Sequence, residues 1–390
     1  MKIHTTQQKK LILALILLVV LLAFLVFSPS FNMGKQKTVE SVDTELTQYS
    51  DSKERDDLKE KECLNPEDCT MENIENQTFQ PQDKPVTKTV PTIHMSGKEY
   101  GTWVWDSPLQ MSETQIRFIV NVAYENKINV LYVTIDDVLD IYALEDGEEK
   151  EAQKKAYSEA LQRVVRIAKE KGIAVDAEAG WRDWAEADQK FKPLTIVDYV
   201  VEYNKTHTTY PLRGLQYDIE PYLLSSYEKN KEFFLTNFVS LVDETATRLG
   251  TSNLRFSVVI PHFYDDQQAW TPPVTHKGIT QHTFSHIIDI LDRRPGSTII
   301  LMSYRNFAEG DNGTIQISEV EIKEASNTAH RTKVIVGQET GNVDPEYVTF
   351  YGLSKDYYLE QLNIVQNKFK GQSGFGGVAV HYIDPFLKLQ

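Results

Sequence analysis

Cysteine is almost missing from this chain, and positive charge is in deficit. Two cysteines, Cys63 and Cys69, are too few for a small scaffold stapled by disulfides. Both lie outside the segments that read as folded, and their spacing suits either a short closed loop in an oxidising compartment or two free thiols. No histidine cluster stands beside them, which excludes an obvious metal site there. With 56 acidic against 41 basic residues the formal charge is −15, and this argues against nucleic acid and other polyanions as partners. No glycine-rich phosphate loop is present, and the acidic positions lack histidines at ligand spacing, so neither a nucleotide nor a metal cofactor is expected. What is there is bulk: 390 residues, 41% of them hydrophobic, enough for one large domain with appendages.

Long apolar runs are confined to one place. LILALILLVVLLAFLVF, residues 11–27, has no charge, Gly or Pro and follows Lys9 and Lys10. It exceeds the roughly 7–15 residue apolar region of a signal peptide and meets the lower limit of about 17 residues for a spanning helix. The preceding lysines favour an inner N-terminus, residues 1–10, and an outer C-terminus. The expectation is an uncleaved transmembrane signal anchor, with cleavage as the alternative. Residues 28–96 are polar, acidic and poor in large apolar side chains, which predicts a disordered linker.

From residue 97 to 390 the pattern becomes regular. Strand-like runs occur at GTWVWD (101–106), INVLYVTID (128–136), IAVDAEA (173–179) and GLQYDIE (214–220). Four more follow at RFSVVIP (255–261), STIILMSY (297–304), KVIVGQE (333–339) and FGGVAVHY (375–382). Helical segments lie between them. In the clearest, Tyr157, Leu161, Val164, Val165 and Ala168 form one apolar stripe that Gly172 is placed to end. Residues 230–250 repeat that design. Eight strands alternating with helices predict a parallel (β/α)8 TIM barrel, with an open doubly wound sheet as the competing fold. Only IDPFLKLQ follows the last strand, too short for a full covering helix, so the last flank is closed by residues before Gly101 or left open to a partner surface.

In such a barrel the chemistry sits at the C-terminal ends of the strands. Side chains alternate along a strand, so Gln216, Asp218 and Glu220 share one face. Facing inward, they put Glu220 at the mouth and Asp218 one layer below. Two adjacent carboxylates oppose each other's ionisation, which keeps one protonated as a general acid, as glycosidic cleavage needs. A structural ion pair or a capped loop is the bland alternative.

GLQYDIEPY (214–222) resembles the fourth-strand signature of family 18 glycoside hydrolases, the chitinase-like barrels: Gly, a hydrophobic residue, then Asp-x-Asp-x-Glu before a Tyr. Gly214, Asp218 and Glu220 match, whereas Gln216 stands at the first Asp. LMSYRN (301–306) is similar to the family's sixth-strand Met-x-Tyr motif, and GFGGVAVHYID (374–384) to its eighth-strand segment, with His381 and Tyr382 near the usual Trp. AEAGW, ending at Trp181, is a weaker echo from the third strand. The resemblance implies that Glu220 is the proton donor and that the N-acetyl oxygen of the substrate is the nucleophile. Asp218 then orients the acetamido group and Tyr304 donates a hydrogen bond to its carbonyl. The carboxylate missing at Gln216 bears on the pH profile and on activity itself.

A rival uses Glu339, which ends the seventh strand run, as nucleophile opposite Glu220 as acid/base, about 5–5.5 Å apart. Enzymes of that kind usually place Asn before the fourth-strand Glu, and here the residue is Ile219. Trp103, Trp105, Trp181, Trp184, Trp270 and Tyr382 fall at or near predicted strand ends, where rings stack on sugar faces as well as fill cores. Glu178, Asp136, His262 and Arg305 complete the candidate cleft residues, Arg305 also as a neutraliser of its acids. The expectation is therefore a membrane-anchored, outward-facing glycoside hydrolase acting on an envelope or extracellular glycan, N-acetylhexosamine polymers first. A non-catalytic, lectin-like glycan-binding barrel is the alternative from another class, and a structural envelope protein a weaker third.

Overall fold

The computed structural model describes residues 97–265 and 270–389. The apolar run 11–27, the linker 28–96, Cys63 and Cys69 lie outside the described residues. Among those described, no helix is long and apolar enough to cross a membrane.

Eight parallel strands close into a barrel: β1 Glu99–Val104, β2 Val130–Thr134, β3 Ala174–Ala179, β4 Gly214–Asp218, β5 Arg255–Pro261, β8 Thr298–Met302, β9 Lys333–Glu339 and β10 Phe375–His381. Between β5 and β8 a short antiparallel hairpin intervenes, β6 Val274–His276 and β7 Ile279–Gln281. Closure comes from β1, which pairs with both β2 and β10. The open doubly wound sheet is thereby excluded. All eight expected strands are present in order, and β5 and β9 have the expected bounds.

The helices form because their sequences carry one apolar stripe and usable ends. In Glu148–Glu170 the stripe Tyr157, Leu161, Val164, Val165 and Ala168 is buried against the sheet. Gly172 and Gly250 sit at positive φ (72° and 53°) just past their helices, a conformation that costs glycine little. Ser112 and Gln115 form a capping box at the start of Glu113–Glu125, and the Ser354 hydroxyl accepts from the Tyr357 N–H at the start of Lys355–Phe369.

The last flank is closed by the C-terminal segment itself. The one-turn helix Ile383–Phe386 packs beside β1 and β10, with Ile383 and Phe386 buried. Phe386 meets the Tyr358 ring at 5.7 Å, and the Tyr358 and Tyr100 hydroxyls share a hydrogen bond of 3.2 Å. The short remainder thus suffices because large rings fill the gap.

Tyr100 and Tyr217 fix the facing of their strands. Tyr100 meets a helix outside the barrel, so Glu99, Gly101 and Trp103 point inward. The Tyr217 hydroxyl donates to Pro193 O at 2.6 Å and its ring meets Trp184, so Gln216 and Asp218 point inward too. Inside, Arg213 forms ion pairs with Glu99 at 2.7 Å and with Asp176 at 2.5 Å, and the Tyr132 hydroxyl donates to Glu99. Burial opposes the charge on Glu99, but Arg213 and the Tyr132 hydroxyl outweigh it and hold its carboxyl below the usual range.

Candidate active site

The residues at the mouth are placed by β4, β9, β10 and the loops that leave them. Past Asp218 the chain leaves the ladder, and a 3-10 turn at Pro221–Leu223 carries Tyr222 back so that its hydroxyl donates to Glu220 Oε2. Tyr222 also lies 3.9 Å from Met302 Sδ and packs edge-on against Phe263 at 5.4 Å. Gly180, at the end of β3, makes this corner possible. A Cβ there would fall 1.8 Å from the Asp218 carbonyl oxygen, so only glycine lets β4 approach.

Asp218 is partly exposed at the mouth, and its Oδ1 has no hydrogen-bond partner among the described residues. Burial, then the charges of Glu220 and Asp136, push its carboxyl well above the usual range, and His381 works the other way. Below it, Gln216 is fully buried beside Glu178 on β3 and Ser257 on β5, and neither end of its amide has a hydrogen-bond partner among the described residues. Glu178 is also buried.

Glu339 is fully buried, and both its oxygens are engaged. Oε1 accepts from the backbone N–H groups of Thr340 (2.7 Å) and Gly341 (2.5 Å), and Oε2 is bound by His381 Nδ1 at 2.6 Å. His381 ends β10 and is joined to Tyr382 by a cis peptide bond. Its ring lies near-parallel to Tyr304 (6.1 Å, 23°) and meets the edges of Trp103 (5.4 Å), Trp105 (5.7 Å) and Tyr382 (5.0 Å). Asp218, Glu220, Glu339 and His381 are therefore one electrostatic cluster, rimmed by Trp103, Trp105, Tyr304 and Tyr382.

Other expected residues have different places. Arg305 is fully buried, and its guanidinium donates to Tyr304 O (2.6 Å), Asn312 O (3.0 Å) and Asn312 Oδ1 (3.0 Å). Through these bonds it braces the Tyr304 backbone. Trp184 belongs to the layer between sheet and helices, against the outer face of Tyr217. Trp181 is half-buried, with the Arg182 guanidinium 5.7 Å from its ring. His262 and Trp270 lie against Phe263, at 5.6 Å and 6.2 Å from its ring, and that ring also packs Tyr222, the donor to Glu220. Asp137 accepts from the Ser107 hydroxyl, a bond within the loops at the mouth.

Tyr222 was missed as a site residue although it stands two positions after Glu220, the spacing that returns a side chain to the same acid. The two N–H groups on Glu339 leave no signal in side-chain identities. Among the described residues no group of three or more His, Cys, Asp or Glu is arranged to hold a metal ion.

No family profile and no curated sequence matches the chain. Solved structures do share its architecture. An endo-1,4-β-D-mannanase from Thermotoga petrophila RKU-1 is 13% identical over 73% of this chain and 88% of that one, with a TM-score of 0.49. A GH18 chitinase from Pseudoalteromonas aurantia is 12% identical over 74% and 98%, with a TM-score of 0.42. The spore cortex-lytic enzyme SleL of Bacillus megaterium QM B1551 is 14% identical over 75% and 73%, with a TM-score of 0.40. Likeness at this level concerns the barrel fold, not the chemistry in its mouth.

Proposed function

We propose that this protein is a glycoside hydrolase, acting on an N-acetylhexosamine-containing envelope or extracellular polysaccharide, with Glu220 as general acid. The observation that carries the reading is the Asp218–Glu220 pair at the barrel mouth, whose mutual repulsion and burial favour one shared proton. Glu220 passes that proton to the glycosidic oxygen as the bond to the sugar carbon breaks. The acetamido oxygen of the substrate attacks that carbon, with Asp218 holding the acetamido N–H and Tyr304 its carbonyl. Water then opens the resulting ring, and Glu220, now a base, takes its proton. Trp105 and Tyr382, both partly exposed, supply apolar surface for the sugar faces, whereas the predicted Trp103 is fully buried beneath them and packs the cluster from below.

The two-glutamate scheme is less well served. A nucleophile needs a free carboxylate oxygen facing the sugar carbon, and Glu339 is fully buried with both oxygens bound. One observation favours a second reading, a glycan-binding barrel without turnover: Gln216 puts an amide where the chitinase-like pattern has a carboxylate. Residues 11–27 are proposed to hold the barrel on the outer side of a membrane, and protease access to the barrel on intact cells tests this.

The deciding assay is a panel of acetylated and non-acetylated oligosaccharides with wild type and Glu220→Gln. The acid role predicts turnover of acetylated substrates and a loss of about 10²–10⁴-fold in the variant. Equal turnover in both proteins refutes that role, and binding without turnover in either supports the second reading.

A further inference from the structure

Glu339 has both carboxylate oxygens fixed at the mouth. Two backbone N–H groups fix Oε1, and the Thr340 hydroxyl donates to His381 O at 2.7 Å, tying the end of β9 to the end of β10. Oε2 is thereby aimed at His381 Nδ1, 2.6 Å away. That bond puts a proton on Nδ1 and fixes the plane of the ring. The other ring nitrogen, Nε2, makes no hydrogen bond among the described residues. Rings hold the imidazole: Tyr304 lies along it, and the edges of Trp103, Trp105 and Tyr382 surround it.

The charged groups that face His381 are Glu339 from β9 and Asp218 and Glu220 from β4 and its end, all carboxyls. Burial alone would lower the affinity of His381 for its second proton. Glu339, then Asp218 and Glu220, reverse that and hold it above the ordinary histidine value.

We propose that Glu339 and His381 act as one unit, Glu339 as a positioning residue and His381 as the cationic hydrogen-bond donor that the cleft offers, through Nε2, to an oxygen of the bound sugar. This rests on the glycosidase reading above and deepens it. The mouth then has an acidic side, Asp218 and Glu220, for the proton transfer, and a cationic side that grips the sugar. A strand-end Glu that reads as a nucleophile in sequence has instead the work of orienting the imidazole.

The test begins with the NMR titration of the His381 side chain in wild type, Glu339→Gln and Glu339→Asp. The unit predicts a midpoint at least about one pH unit lower in the Gln variant, with most of that drop restored by Asp. An unchanged midpoint in Glu339→Gln overturns it. Binding of an N-acetylglucosamine oligomer is then measured by calorimetry at pH 6 with wild type and His381→Asn. A weakening of about 10–100-fold is expected for a lost charged hydrogen bond, and an unchanged Kd overturns the donor role. Neither readout needs turnover, so a protein that binds glycans without cutting them sinks the hydrolase reading while leaving the unit standing.

Discussion

Asp218→Asn separates a functional carboxyl from a structural one. The wild-type carboxyl is held well above its usual range, first by burial and then by Glu220 and Asp136. The sign follows: the unfolded chain releases this proton near pH 4, whereas the folded chain keeps it to a higher pH. Between those two values the folded state binds more protons, so stability falls as pH rises, by about 1.4 kcal/mol per pH unit. In a domain of this size that is roughly 2–3 °C in Tm per unit. Asparagine keeps the shape and cannot titrate, and Asp218 Oδ1 has no hydrogen-bond partner to lose among the described residues. Thermal melts of both proteins from pH 3.5 upward should coincide at the acid end, and the variant should become progressively the more stable. Its turnover should nevertheless collapse, because Glu220 loses the carboxyl with which it shares a proton, and the acetamido N–H loses the acceptor that Asp218 becomes when Glu220 holds that proton. Parallel melting curves across the whole range would refute the raised carboxyl and the shared proton built on it.

Three further tests concern Arg213 inside the barrel, Gly180 at its mouth and Asp243 on the outer helix Lys231–Arg248. Arg213→Met leaves Glu99 and Asp176 buried without their partner, and a loss of about 3–5 kcal/mol is expected in urea unfolding. Adding Glu99→Gln and Asp176→Asn to that variant should recover part of it. Gly180→Ala forces a Cβ onto the Asp218 carbonyl and should lose about 1–3 kcal/mol together with turnover, read by denaturation and the oligosaccharide assay. Asp243 is a buried acid whose carboxyl is held below its usual range: burial opposes this, but Lys277, His276 and Arg293 prevail. Its contribution is present above about pH 4 and vanishes as pH falls through the folded value, so Asp243→Asn should lower Tm at pH 7 and much less at pH 2.

Much of the fold was legible because a parallel barrel strand, buried on both faces, is a short apolar run that stands out between amphipathic helices. The expected ends overshot at the mouth: Ile219, Glu220, Ser303 and Tyr304 continue the strand pattern but have left the ladder. They carry the site because they are no longer paired. The hairpin Val274–Gln281 gave no signal, since two strands of three residues are too short to show a period; its turn is visible only in the positive φ of Lys277 and Gly278. Asp218 and Glu220 were legible as a pair because two-residue spacing needs no tertiary information. Arg305 was legible as a residue of the mouth, but its bonds to Asn312 come from a loop whose path no periodicity gives.

Taken alone, the order of residues determined the alternation of eight strands with helices and the shared face of Gln216, Asp218 and Glu220, because these depend on local periodicity. Closure of the sheet and the inward turn of that face were decided by the pairing of β1 with β10 and the outer contacts of Tyr217. The net charge of the chain argues against polyanionic partners, and its two cysteines argue against a disulfide-stapled scaffold. The partner of each carboxylate was decided only by closure of the barrel. Closure sets Arg213 against Glu99, 114 residues away in sequence, and Glu339 against His381, 42 residues away. No periodicity reaches that far, and a carboxylate changes role with the group it faces: beside another acid it shares a proton, and beside an imidazole it holds a cation in place.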